Sequence, residues 1–270
     1  MLTPSDRLAL ARALESIARD TARAEILPRY LQSSRNYKSD GSFFTDADIA
    51  TQQCLAEALP ALLPGPVLGE EMSSREQIAL WDEGVSGLWC VDPIDGTTNF
   101  TNGLPFFAVS IAYLVNHEPV FGVVYNPITD ESFYAAEGAG AYLDGTPLPL
   151  APIIHTLSEA VAGIDLKRLS TQLASRLVSH PPYYSQRNFG SSALEWCYVA
   201  AGRIDVYLHG GQMLWDYAAG KLILSESGGI GKTLDGQELM THPETKRSII
   251  AASNPALLVE WERWLKTCIP

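Results

Sequence analysis

The chain has 270 residues, 46% hydrophobic and 19% charged, with 21 Gly and 17 Pro, which supplies a sizeable core and excludes collagen-like, disordered and mini-protein architectures. Its 31 Asp and Glu against 19 Lys and Arg give a formal charge of −12, which argues against general nucleic-acid binding, because phosphate backbones reward clustered positive charge. No basic region followed by an apolar core opens the sequence and no stretch has the length of a membrane span, so the expectation is a cytoplasmic protein without membrane attachment.

In chain order, Ser5 precedes Leu8, Leu10, Ala11, Leu14, Ile17 and Ala18, apolar residues at three- and four-residue steps that predict a capped amphipathic helix. The polar run 36–42 reads as a mobile loop. Thr45 caps a second helix through Ile49, Leu55 and Leu59 that should stop near Pro60. Pro64-Gly65-Pro66 then leads into a short strand at Val67-Leu68, followed by Gly69-Glu70-Glu71. Residues 88–91 are apolar, and β-rich runs at 108–115, 120–125 and 132–136, separated by turn formers, predict an antiparallel meander. Beyond about Leu150 the texture alternates: strand 160–164, helix 169–178, helix 191–201, strand 204–208, a helix from Asp216, strand 248–252 and a closing helix at 257–265. The expectation is one compact unit of two halves, residues 1–150 and 151–270. Cys54, Cys90, Cys197 and Cys268 form no C-x-x-C pair and read as reduced, mostly buried thiols. The six tryptophans read as core and interface anchors, and the triplet Asn99-Phe100-Thr101 as a chance sequon.

H-E-x-x-H, G-x-S-x-G and G-x-G-x-x-G are absent, and Gly231-Lys232-Thr233 imitates a P-loop with Glu226 where the first glycine belongs. The informative run is Trp89-Cys90-Val91-Asp92-Pro93-Ile94-Asp95-Gly96-Thr97-Thr98-Asn99-Phe100. Asp92 is placed where a buried strand ends, Pro93 fixes the backbone, and Asp95 follows at three residues. Both carboxylates and the Ile94 carbonyl can thus converge on one hard cation, and oxygen ligands of this type favour magnesium. Gly96 permits close ligand approach, and Thr97 and Thr98 can open a short helix whose N–H groups suit a phosphate. Asp-Pro and Asp-Gly are also ordinary turn formers. What favours a site is that Gly69-Glu70-Glu71 and Leu214-Trp215-Asp216-Tyr217-Ala218-Ala219-Gly220 put further carboxylates at similar junctions. Four acidic groups held close repel one another strongly, and divalent cations are the usual remedy.

Gly69-Glu70-Glu71, Asp92-Pro93-Ile94-Asp95-Gly96-Thr97-Thr98-Asn99-Phe100 and Trp215-Asp216-x-Ala218-Ala219-Gly220, in this order and spacing, resemble the inositol monophosphatase family of lithium-sensitive, magnesium-dependent phosphatases. The likeness covers nearly the whole chain, including residues 38–48 and Gly190-Ser191-Ser192-Ala193. It implies the layered α/β sugar-phosphatase fold, αβαβα. It also implies that Glu70, Asp92, the Ile94 carbonyl, Asp95 and Asp216 ligate two or three magnesium ions. Glu70 and Thr97 would position an attacking water, with Asp48 orienting Thr97 and Asp46 a rival for that part. Asp95, Gly96, Thr97 and Thr98 would meet the substrate phosphate, Lys38 would lie in a loop completing the metal site, and Arg187 and Ser192 would approach the substrate.

The family's inositol-type members carry a glutamate seven residues before the third-motif aspartate; here that position is His209, followed by Gly210-Gly211-Gln212. His209 is therefore a candidate for binding a second phosphate or a base, or a structural histidine. The implied activity is hydrolysis of a small phosphorylated polyol or sugar by in-line attack of metal-activated water, inositol 1-phosphate being the type substrate. A 3′(2′),5′-bisphosphate nucleotide and fructose 1,6-bisphosphate are alternatives. A regulatory binding protein, of the kind some bacterial relatives have become, is an alternative of another class. Family members often form homodimers.

Overall fold

The computed structural model describes residues 3–32, 35–37, 43–152, 154, 156–237, 239–240 and 242–268. Helix α1 (Pro4–Thr21) starts earlier than the apolar spacing suggests, because Thr3, not Ser5, caps it. Thr3 Oγ1 accepts from the Asp6 amide at 3.2 Å, the Asp6 carboxylate accepts from the Thr3 amide at 3.1 Å, and Pro4 takes the first helical position, where its missing N–H costs nothing. Strands β1 (Asn36–Tyr37) and β2 (Phe43–Phe44) pair antiparallel. Residues 38–42, the body of the expected mobile loop and the site of Lys38, lie outside the described residues. Helix α2 (Asp46–Leu62) is capped by Thr45 as expected, but it runs past Pro60. In the last turn a proline removes a single backbone donor, and Leu63 still donates to the Leu59 carbonyl at 3.3 Å.

Strand β3 (Val67–Gly69) leads to α3 (Ser74–Glu83), a helix the apolar pattern does not reveal and that a Ser73/Glu76 capping box starts. Then follow β4 (Leu88–Asp95), α4 (Thr97–Asn102), β5 (Ala108–Val115), β6 (Glu118–Asn126), β7 (Glu131–Ala136), β8 (Gly140–Leu143) and β9 (Thr146–Pro147). Strands β3 to β9 form one seven-stranded sheet in chain order, antiparallel except for the parallel β3–β4 pair. The rest of the chain supplies β10 (Val161–Asp165), α5 (Thr171–Ser179), β11 (Ser185–Arg187), α6 (Ser192–Ala200), β12 (Val206–Gln212), α7 (Leu214–Glu226), β13 (Ile230–Lys232), β14 (Arg247–Ala252) and α8 (Pro255–Lys266). The second sheet runs β11-β10-β12-β14-β13, with β10 parallel to both neighbours and β14 antiparallel to both of its own.

Three apolar clusters stack these parts into alternating αβαβα layers. Leu14 and Leu55 of α1 and α2 pack with Trp89, Val109 and Phe107 on one face of the first sheet. Trp196 of α6 and Tyr217 of α7 pack with Cys90, Phe133 and Tyr207 between the two sheets. Leu173 of α5 and Trp261 of α8 cover the outer face of the second sheet. Strand β4 is therefore buried on both faces, Trp89 and Val91 towards one layer and Leu88 and Cys90 towards the other, which is why its sequence is continuously apolar instead of alternating. Each large side chain so buried contributes roughly 1.5–3 kcal/mol. Trp81, Trp89, Trp196, Trp215 and Trp261 are all core residues, and the four cysteines are unpaired, with Cys90, Cys197 and Cys268 buried. Among the described residues no helix is long and apolar enough to cross a membrane.

Candidate metal and phosphate site

Asp92 and Asp95 belong to β4, which does not end at Asp92 but continues to Asp95. Asp92 pairs with Ser110 and Asp95 with Ala108, so three steps on β4 face two on β5. This is a bulge, and it falls at Pro93, which has no N–H to give to a ladder. Within it the Ile94 amide donates to Asp92 Oδ1 at 3.1 Å. The extra residue re-aims the carboxylates. Gly96 follows at φ +99°, a left-handed conformation that starts α4, and a Cβ there would lie 3.2 Å from the carbonyl oxygens of Gly190 and Phe106. Both backbone angle and space call for glycine.

Asp216 arrives on α7, which starts at Leu214, so that Asp216 is the third residue of the helix and not its cap. Its Oδ2 accepts from the Met213 amide at 2.8 Å, which fixes the side chain at the helix entry. Asp95 is fixed from the second half of the chain: Ser191 Oγ donates to Asp95 Oδ2 at 2.5 Å and the Ala193 amide donates to the same oxygen at 2.7 Å. Carboxylate oxygens of Asp92, Asp95 and Asp216 thereby come within 4.8 Å of one another. Asp92 is 1% and Asp95 7% exposed. Glu70, half-buried after β3, lies outside that tight group but on the same cavity wall. Burial, opposed by the Ser191 and Ala193 hydrogen bonds and assisted by Glu70, pushes the Asp95 carboxyl up to about 6. Burial and then repulsion from Asp95 and Glu70 push Asp216 well above the usual carboxylate range. A buried, all-oxygen, mutually repelling donor set of this kind fits a hard divalent cation.

The cavity has a volume of about 420 Å³, and Asp95, Gly96, Thr97, Thr98, Ser192 and Asp216 are among its walls. Thr97 Oγ1 lies 3.1 Å from the Ile94 carbonyl and 3.5 Å from Asp48 Oδ1. Asp48 is fully buried, its Oδ2 accepting from the Thr45 amide at 2.7 Å and the Thr45 hydroxyl at 2.6 Å. Asp46, the rival, points away with a 66% exposed side chain 3.6 Å from Arg29. Asn99 is structural: its Nδ2 donates to the Phe106 and Phe189 carbonyls, both at 2.7 Å, and ties α4 to the segment before α6. Arg187 is not at the cavity; its guanidinium turns back onto Ser185 Oγ at 2.8 Å and the Gln186 carbonyl at 2.7 Å.

His209 borders the cavity but is only 4% exposed, with both ring nitrogens engaged inside the protein. The Gly211 amide donates to Nδ1 at 3.2 Å, so the proton sits on Nε2, 3.3 Å from Asp165 Oδ2. Burial outweighs Asp165 and holds the imidazole below its ordinary pKa. His209, left open as a ligand for a second phosphate or a base or as a structural histidine, is thus a neutral donor to Asp165, because its other nitrogen must accept. Burial alone would raise the Asp165 carboxyl, but His209 and Arg168 prevail and hold it down to about 2.

Asp165, Lys167, Arg168, Glu195 and Lys246 all line the cavity, and sequence reasoning singled out none of them. Glu195 accepts from the Phe189 amide at 3.2 Å, and burial pushes it up to about 8. Asp165 carried one usable signal, its place at the carboxyl end of a parallel strand; the other four have none at the level of local pattern.

A model of the inositol monophosphatase family matches residues 8–265. The chain is 36% identical over 221 residues to Bacillus subtilis inositol-1-monophosphatase, covering 79% of each chain. It is 33% identical over 238 residues to the Nus factor SuhB of Pasteurella multocida, covering 86% of this chain and 85% of that one. The crystal structure of the extragenic suppressor protein SuhB from Bartonella henselae superposes with a TM-score of 0.84 at 29% identity, over 97% of this chain and 100% of the other. With the layered fold and the carboxylate cluster already in place, these matches identify the chain as a member of the inositol monophosphatase family, a family of phosphomonoester hydrolases.

Proposed function

We propose that the chain is a magnesium-dependent phosphatase of small phosphorylated polyols or sugars. The observation that carries this reading is the convergence of Asp92, Asp95 and Asp216, from separate parts of the sequence, at a cavity that also opens on the start of α4. Asp92, Asp95, Asp216, Glu70 and the Ile94 carbonyl would hold the cations. When bound, divalent cations offset the charge of carboxylates and phosphoryl oxygens and acidify a water.

The chain's own residues do the positioning. Thr97 Oγ1 directs its proton to the Ile94 carbonyl or Asp48, leaving its lone pairs to orient a water beside Glu70. Asp48 keeps that hydroxyl in place because its other oxygen is locked by Thr45. The amides of Gly96 and Thr97 offer donors to the phosphate, and Ser191 prevents Asp95 from turning away. Water attacks phosphorus in line and the alkoxide leaves with a proton, with no phospho-enzyme needed. The name of the Bacillus subtilis relative supports inositol 1-phosphate as the first ester to try.

The test is phosphate release from inositol 1-phosphate with magnesium, with chelator, and with lithium, which is expected to inhibit. Asp216→Asn should lower kcat by more than the ~10–100-fold that loss of an outer partner of a metal ligand costs. Near-normal turnover by that variant, or turnover indifferent to chelator, would overturn the reading. The name of the Pasteurella multocida relative favours a second reading, a regulatory binding role. Inertness towards a broad ester panel together with capture of a defined protein partner would support it.

A further inference from the structure

The cavity that holds the acidic cluster also gathers three cations, Lys167, Arg168 and Lys246, in a chain whose net charge is −12. Two features of the backbone bring them there. Strand β12 is irregular against β14 between His209 and Gln212. At Gly210 a Cβ would fall 1.8 Å from the Arg168 carbonyl oxygen, so only glycine lets the turn carrying Lys167 and Arg168 lie against β12. At Gly211 the same construction comes 3.9 Å from the Lys246 Cβ, so Lys246, which precedes β14, lies alongside.

The turn itself is held by a polar network. Asp165, 6% exposed, accepts from the Lys167 amide at 3.0 Å, pairs with the Arg168 guanidinium and accepts a hydrogen bond from His209 Nε2. His209 therefore serves the cations through Asp165. Lys167 and Lys246 are exposed, and neither has an ion-pair partner among the described residues. Ammonium groups so placed attract an anion, and the guanidinium fork adds geometry suited to phosphate. A cavity of about 420 Å³ has room for a ligand of sugar or nucleotide size.

We propose that Lys167, Arg168 and Lys246 form a second anion subsite, so that the preferred substrate carries another phosphate besides the one removed. The proposal rests on the phosphatase reading and narrows its substrate class.

The experiment compares matched pairs: fructose 1,6-bisphosphate with fructose 1-phosphate, and adenosine 3′,5′-bisphosphate with adenosine 3′-monophosphate. The two pairs separate a sugar from a nucleotide source of the second phosphate. In at least one pair the wild type should favour the bisphosphate at least tenfold in kcat/KM. The double variant Lys167→Ala/Lys246→Ala should cut that ratio about tenfold, which is 1.4 kcal/mol, through KM and with unchanged thermal unfolding. The wild-type preference should also shrink from 50 to 300 mM salt, because exposed charges are screened. A wild-type ratio near one in both pairs, or a ratio the double variant leaves unmoved, overturns the proposal.

Calorimetric binding of the same pairs, with calcium replacing magnesium, separates the two failures. Turnover of monophosphates without tighter bisphosphate binding sinks the subsite alone. Absence of all turnover, with bisphosphate binding that depends on Lys167 and Lys246, sinks the phosphatase reading and keeps the subsite.

Discussion

Replacing Asp95 by Asn in metal-free protein should make the chain more stable, although the residue is buried and hydrogen-bonded. The Asp95 carboxyl rises from 3.8 to about 6 on folding, chiefly through burial. At 1.36 kcal/mol per unit, keeping it ionised at pH 7.5 costs about 3 kcal/mol. An asparagine oxygen still accepts from Ser191 and Ala193, and the charge assistance those bonds lose is already contained in the raised value; what asparagine adds is a buried amide NH2 in place of the second carboxylate oxygen, at a cost on the order of 1–2 kcal/mol. The net gain is therefore on the order of 1–2 kcal/mol, a rise of roughly 2–6 °C in Tm for a chain of this size.

The sign of the pH dependence follows from the raised value. The unfolded chain releases this proton first, so the contribution of Asp95 to wild-type stability falls as pH rises from 3.8 to about 6 and is level above that. The variant should lack this slope. Saturating magnesium should reverse the order, since a cation at a hundred times its Kd stabilises the wild type by about 2.7 kcal/mol and the variant by much less. Urea and thermal unfolding with chelator and then with magnesium, across pH 4–8, measure all of this. A metal-free variant less stable than wild type at pH 7.5, or one with the same slope below pH 6, would refute the reasoning.

Three further outcomes are expected. Gly220→Ala puts a Cβ 2.4 Å from the Cβ of fully buried Trp196, so α6 and α7 must separate, at a cost of about 1–3 kcal/mol in chemical denaturation. Asn99→Asp replaces a donor shared by two carbonyls with a carboxylate facing them, and should destabilise by about 3 kcal/mol or more at pH 7, less at pH 3, where the acid can donate. Thr97→Val keeps the side-chain shape but removes the hydroxyl between Ile94 and Asp48; kcat should fall ~100-fold, with Thr97→Ser restoring most of it in a steady-state assay.

Much of the fold and the centre of the site were legible in the sequence. The meander, the Thr45 cap and the closing helix are local: turn chemistry, a side chain bonding to a backbone amide three residues on, and apolar periodicity are all written within a few residues. Asp92 and Asp95 could be paired on paper because they are three residues apart, and Gly96 because its backbone angle follows from the turn it makes. Errors and open choices fell where a neighbouring chain segment decides the outcome. Continuation of β4 past Asp92 depends on β5 to receive the bulge, and the role the sequence left open for His209 depends on Asp165, brought beside its Nε2 by the pairing of β10 with β12.

By itself, the sequence determined which residue types were available for binding cations and phosphate, and where each local turn would present them. Tertiary structure alone decided that Ser191 would lock Asp95 and that Lys167, Arg168 and Lys246 would share a cavity with the aspartates. The reason is physical: these neighbours lie tens to more than a hundred residues apart, and packing two sheets around α6 and α7, not any local preference of the backbone, brings them together.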